Sequence, residues 1–375
     1  MTPTLTEEHD ELRRVVRRFL AERSPSQEVR RLIEGGRHLD REVWSQMASQ
    51  LGLQGIAIPE EHGGSGFGPV ELGIVLEEMG RALLVAPYFS TVALAGQTLT
   101  ASGDEAAQAR WLPGIAEGTL TATLAVAEES GVWDLGSVEC RAEEVDGQWV
   151  LEGTKHFVVD GATADLVLVV ARVGDRVGVF AVEAGAAGLE REETAAVDLT
   201  RPLASLRFER TPATRLAPQR EVTEWLPRVG DLVMAALAAE MVGGADRCLE
   251  MAVDYAKTRE QFGRPVGSFQ AVKHKCANLL LDVESGRSAA SYASAAMSEP
   301  APEPTIAATV ALAHCARAFT QAAKECLQIH GGIGYTWEHD VHLFLRRAKS
   351  SELLFGGPAV QRRRLAELVG IAGAR

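Results

Sequence analysis

The sequence has no uninterrupted apolar run near the roughly 18 residues that a membrane helix needs, which excludes a helical span. Its start does not read as an export signal either. Met1 to Asp10 is acidic and polar, where such a signal has a basic start and an apolar stretch. The cysteines are few: Cys140, Cys248, Cys276, Cys315 and Cys326 form no CxxC pair and no regular spacing. That excludes a disulfide framework and predicts reduced, mostly buried thiols. Positive charge is scarce, with 38 Lys and Arg against 51 Asp and Glu and a net charge of -13. Such a field repels polyphosphate backbones. The local exceptions, Arg346, Arg347, Lys349 and Arg362 to Arg364, read as helix surface or as a seat for one small anion. The expectation is a cytoplasmic protein with no nucleic-acid and no membrane partner.

A chain of 375 residues exceeds one ordinary core, so two or three packed units are expected. Thr6 to Leu20 has a polar cap, acidic Glu7 and Glu8 in the first turn, then Leu12, Val15, Val16 and Phe19 at helical spacing. Asp40 to Leu51 and Glu71 to Leu84 repeat the pattern, separated by the glycine-rich loop Pro59 to Gly66. From Thr121 the period changes. Trp149 to Glu152, His156 to Val159, Ala164 to Ala171 and Val177 to Val182 are short β-rich runs between Asp-Gly and Gly-Asp turn signals. Helical patterning returns after Pro218 to Pro227, over Leu232 to Lys257, Ala271 to Met297, Thr305 to His330 and a segment after Ala359, with a proline-rich loop at Ser298 to Pro304. The predicted class is α+β: helices over 1–120, a β-domain over 121–218 and helices over 219–375.

Two stretches point to ligand chemistry. At the first, Arg259 offers a planar fork suited to phosphate, beside Gln261, Phe262 and Gln270, while Gly263, Pro265 and Gly267 make a turn that another backbone can approach. An ion pair at a surface helix end explains the same residues. The second contains Gln328, His330, Gly331, Gly332 and Gly334, which in isolation is an ordinary helix C-terminal turn.

Spelled out, Tyr255-x-x-x-Arg-x-x-Phe-Gly-x-x-x-x-x-x-Gln270 and Gln328-Ile-His-Gly-Gly-Ile-Gly-Tyr335 resemble the flavin-contacting signatures of the acyl-CoA dehydrogenases, and the resemblance extends over nearly the whole chain. It implies an N-terminal helical domain, a central β-barrel or sandwich and a C-terminal four-helix bundle. It also implies FAD as cofactor, an acyl-CoA substrate, an electron-transfer acceptor, and a homologous subunit or a second copy as partner. By resemblance, Arg259, Gln261, Phe262, Gln270, Gln328, Gly331 and Gly332 reach the flavin seated in a neighbouring subunit, and Phe157 is the aromatic that stacks on the chain's own flavin.

Several family positions are altered. The Thr and Ser of the family's Thr-Glu-Pro-x-Ala-Gly-Ser-Asp fall on Ala127 and Trp133, and the Thr of its Lys-x-Trp-Ile-Thr falls on Val159. Abstracting an α-proton from a thioester requires a placed carboxylate. One family position for this base, after Arg346-Arg-Ala-Lys349, holds Phe355; the other, about 22 residues before Tyr255, holds Val233, followed by Met234. Glu240 lies on the face of Val233, about 10 Å further along a helix, and is the remaining candidate base; pairing within the helical core is the alternative. Glu352 is offset from Phe355. His339-x-x-His342 lacks the i, i+4 spacing of a helical zinc pair, so no metal is expected. The retained and altered residues together resemble the base-lacking subunit of actinobacterial heterotetrameric acyl-CoA dehydrogenases acting on steroid side chains. A self-sufficient homotetramer using Glu240 and a flavin-free structural homologue are the alternatives.

Overall fold

A computed structural model describes residues 6–298 and 303–371; the first five residues and most of the predicted proline-rich loop lie outside the described residues. Thr6 caps α1 (Glu7–Arg23) reciprocally with His9, and Val16, Phe19 and Leu20 turn inward. Helices α2 (Ser26–Glu34) and α3 (Arg41–Ser49) follow, the latter opened by the Asp40 carboxylate accepting from the Glu42 and Val43 amides. After the glycine-rich loop come α4 (Pro69–Ala82), a wide π-helical turn at Phe89–Gly96, α5 (Gln97–Ser102) and α6 (Glu105–Ala116).

Seven strands form the middle of the chain: β1 (Ala122–Ala125), β2 (Arg141–Val145), β3 (Gln148–Val159), β4 (Leu166–Val173), β5 (Arg176–Glu183), β6 (Leu189–Thr194) and β7 (Leu203–Leu216). Strands β4, β2, β3, β7 and β5 pair in a ring that β4 and β5 close, while β1 adds to β4 and β6 to β7. The ring is a small barrel. The two short runs read from sequence at 149–152 and 156–159 are one strand, β3, irregular against β7 between Leu151 and Gly153 and between Lys155 and Val158. Strand β4 is apolar and buried from Leu166 to Ala171 because both faces are covered there. Val167, Val169 and Ala171 fill the barrel, and Leu166, Leu168 and Val170 join the core shared with the helices.

The C-terminal region opens with α7 (Val222–Thr258), which begins ten residues before Leu232 and carries Pro227 near its start. A two-residue ladder, β8 (Glu260–Gln261) with β9 (Arg264–Pro265), separates it from α8 (Gln270–Ser298). Then come α9 (Pro304–His330), α10 (Val341–Leu353) and α11 (Gly357–Leu368). None of the described helices is long and apolar enough to cross a membrane. Helices α4 and α7 cross backbone to backbone. A Cβ on Gly80 would lie 2.0 Å from the Glu240 carbonyl oxygen, and one on Gly243 would lie 1.7 Å from that of Glu77. This crossing locks α7 against the N-terminal helices and sets Glu240 at the junction with the barrel.

Candidate functional site

The end of α7 becomes a hairpin. The Arg259 amide donates to the Tyr255 carbonyl at 2.8 Å, the chain then extends, and Phe262 and Gly263 turn it with φ of 55° and 74°. Two successive positive φ angles make the tight turn whose twist suits a two-residue hairpin. The turn presents Phe262 to solvent at 90% exposure. Arg259, Gln261 and Gln270 are also exposed, and their side chains make no hydrogen bond or ion pair among the described residues. The ion-pair reading of Arg259 therefore has no partner here.

Helix α9 ends alongside. Gly331 has φ 62° and ψ -138°, and its amide donates back to the last turn of the helix. A Cβ at Gly331 or Gly332 would meet nothing within 4 Å, so these backbones face open space. Gln328 is exposed beside them. The two motifs are joined through rings: Tyr255 lies 4.3 Å from His330, centroid to centroid, while His330 Nδ1 donates to the Cys326 carbonyl at 2.8 Å. One outward-facing patch thus gathers an unpaired guanidinium, three uncommitted amide side chains, a bare glycine backbone and an exposed phenyl ring. These groups suit an anionic, flat-ringed ligand.

Phe157 belongs to a different place. It sits on β3 with φ 55°, 43% exposed, under Gly131. Beside it a cavity of about 20 Å³ is lined by Ala127, Trp133, Val159, Leu354 and Phe355 among others. The four altered family positions other than Val233, spread over more than two hundred residues of sequence, converge on this one space. Trp133 meets Phe355 edge to face, with centroids 4.4 Å apart and an interplanar angle of 77°. Phe355 is 7% exposed and takes φ 61° and ψ 28°, a conformation unusual for a bulky residue. The remaining volume has room for about one water molecule. A flavin ring with a thioester against it does not fit this conformation. The supports beneath remain intact, since Lys155 Nζ reaches Glu128 Oε1 at 2.7 Å and the Val126 carbonyl at 3.0 Å.

Glu240 is not a poised base. Its carboxylate is bound by the guanidinium groups of both Arg201 and Arg347, and the residue is 5% exposed. Arg347 also donates through Nε to Asp198 at 2.9 Å and to Thr200, and Arg201 donates to Ser351 at 2.9 Å. Asp160 lies near and accepts from Ser90 at 2.5 Å; burial raises its carboxyl's pKa. The sequence could nominate Glu240 because helical periodicity gives its face, but not the two arginines arriving from elsewhere. Val233 is buried in α7, and Glu352 is engaged by Lys349 and by Thr320 at 3.3 Å. His339 and His342 pack on the rings of His330 and Trp337 respectively. Arg201 and Asp198 carried no signal in the sequence, being a lone cation and a lone anion in a loop.

Residues 6–119, 123–211 and 234–370 match, in turn, the families described as the N-terminal, middle and C-terminal domains of acyl-CoA dehydrogenase. The chain is 35% identical over 365 residues to acyl-CoA dehydrogenase IpdE2 of Mycobacterium tuberculosis, covering 97% of this chain and 98% of that one. Among solved structures it is similar to a chain of the ChsE4-ChsE5 complex from Mycobacterium tuberculosis, with 30% identity, a TM-score of 0.89 and 99% of each chain covered. It is also similar to a chain of the Tcur3481-Tcur3483 steroid ACAD, with 32% identity, a TM-score of 0.88, and 98% and 99% covered.

Proposed function

This chain belongs to the acyl-CoA dehydrogenase family of oxidoreductases acting on a CH–CH bond, and from that premise we propose that it is a partner subunit. In this reading it completes the FAD site of a homologous, base-bearing chain and does not run the α,β-desaturation of an acyl-CoA in its own cleft. When bound, FAD supplies the two-electron acceptor for that reaction. Arg259 would take the pyrophosphate with its fork, Gln261, Gln270 and Gln328 would supply amide hydrogen bonds, Gly331 and Gly332 would admit close backbone approach, and Phe262 would pack on the cofactor's flat portion.

The observation that carries the proposal is the contrast between the two places. The outward patch is polar, uncommitted and open, whereas the chain's own cleft is filled by Trp133 against Phe355. Neither family base position is acidic, and a hydrocarbon ring at 355 removes the roughly 10²- to 10⁴-fold that a placed general base contributes. The similarity to chains of a two-component complex and of a steroid enzyme favours a heteromeric assembly and a bulky acyl group such as a steroid side chain. An electron-transferring protein as acceptor follows from the same family chemistry. A self-sufficient enzyme using Glu240 is disfavoured by the two guanidinium groups that bind its carboxylate.

Counting flavin tests the proposal. The chain isolated alone should be colourless, and its complex with the homologous base-bearing chain should carry about one FAD per two chains, read from the flavin band near ~450 nm. Full flavin occupancy with dehydrogenation by the lone chain overturns the partner role, and a colourless complex overturns the FAD role.

A further inference from the structure

We infer that Arg30 and Glu34 of α2, acting through Trp337, are positioning residues that set the glycine turn of the outward patch for a neighbour's cofactor. The inference rests on the trans half-site proposed above. The segment between α9 and α10, residues 331–340, has only a short 3₁₀ turn of its own, at Gly331–Tyr335. It is held at its far end by groups from some three hundred residues earlier in the chain. Arg30 donates to Asp340 Oδ1 from Nε at 2.9 Å and from Nη2 at 2.7 Å, and also donates to the Trp337 carbonyl. The Trp337 indole Nε1 donates to Glu34 Oε1 at 2.9 Å.

Rings complete the hold. The Trp337 ring stacks on His342 at 4.7 Å and has the guanidinium carbons of Arg30 and Arg346 each 5.8 Å from its centroid. The neck of the segment is closed where His330 meets His339 at 4.3 Å, and His330 in turn contacts Tyr255 below the Arg259 hairpin.

The contacts from α2 fall on 337 and 340 and leave Gly331 and Gly332 bare. That division is what a positioning device requires: the anchor stands outside the ligand-facing surface and fixes its shape before the ligand arrives. A turn of three glycines without an anchor must be ordered at the moment of binding, which weakens affinity. Arg30 suits the task because its planar fork engages a carboxylate through two nitrogens while its face lies towards an indole. Neither Arg30 nor Glu34 belongs to the flavin motifs.

The test uses the assembled complex, stripped of flavin and titrated with FAD, with binding read from flavin fluorescence and assembly from size-exclusion chromatography. Arg30→Gln should weaken FAD binding about tenfold or more with the complex intact, the effect of losing a charge-assisted hydrogen bond. Trp337→Phe keeps an aromatic ring against His342 but removes the pyrrole portion of the indole with its Nε1 donor, while the Arg30–Asp340 contact stays, so it should weaken FAD in the same direction by less; it decides the matter if Arg30→Gln fails to assemble. A lowered melting temperature of the stripped complex with unchanged FAD affinity in Trp337→Phe and Arg30→Gln overturns the inference, leaving these residues a structural role only. Arg259→Ala separates the two claims. If it weakens FAD while Arg30→Gln does not, only the anchoring role fails; if Arg259→Ala also leaves FAD unchanged, the trans half-site itself fails.

Discussion

Glu240 is buried against two guanidinium groups, and this decides what the carboxylate can do. A buried anion between Arg201 and Arg347 gains its stability from them, and they from it. Glu240→Gln should therefore destabilise the fold by about 3–5 kcal/mol, the cost of breaking a buried pair from one side. Denaturant unfolding checks this, and an unchanged midpoint together with abolished turnover would restore Glu240 as a base. Phe355 illustrates the limit of reading a single position. By resemblance, the spacing after Lys349 puts it where the family keeps a carboxylate, but only the fold shows Trp133 lying against it. In the proposed reading the ring is a plug as well as a lost base.

Among the elements, the crossing of α4 and α7 is the most demanding. Gly80 and Gly243 each face a carbonyl of the opposite helix with no room for a methyl group. Gly243→Ala should cost at least the 1–3 kcal/mol typical of overpacking, because a backbone carbonyl cannot rotate aside as a side chain does. A fall in melting temperature with broadened unfolding is the expected reading; a variant as stable as the parent would show that the helices separate easily. Elements with strong local patterning were legible in advance. Helix α1 was, from its cap and its periodic Val16 and Phe19, and so was β5, between its turns. The single span of β3 was not, because its irregularities interrupt the alternation at Gly153, and neither was β6, whose side chains are mostly exposed and charged. Helix α10 carries a weaker pattern, since Arg347 is turned inward with the apolar residues.

Across the full chain, stability is expected to depend on pH partly through the histidine neck. Burial pushes the His330 and His339 imidazoles below the ordinary 6.5; the neighbouring His330 adds to the shift at His339, and the bond to the Cys326 carbonyl opposes it at His330. Burial lowers His342 also, and the cations of Arg30 and Arg346 add to it, while Asp340 opposes them. The sign follows from proton counting. Below about pH 6.5 the unfolded chain takes up protons that the folded chain refuses, so stability falls as pH drops through this range and is flat above it. Melting temperatures recorded between about pH 7.5 and 5.5 should decline, and His339→Phe should flatten the decline; a parent curve that rises towards acid would contradict the assignment.

What the amino-acid order determined was the family and the outward patch. The Arg259 and Gln328 motifs are contiguous, each forms at one helix end, and local geometry suffices to expose their side chains. The tertiary structure alone decided the fate of the chain's own cleft and of Glu240. Ala127, Trp133, Val159 and Phe355 share a cavity, and Arg201 and Arg347 share a carboxylate, only because the barrel is pressed against the helices. Contacts between residues so far apart have no periodicity to announce them; they follow from packing, which fills space and pairs buried charge across the junction of all three regions.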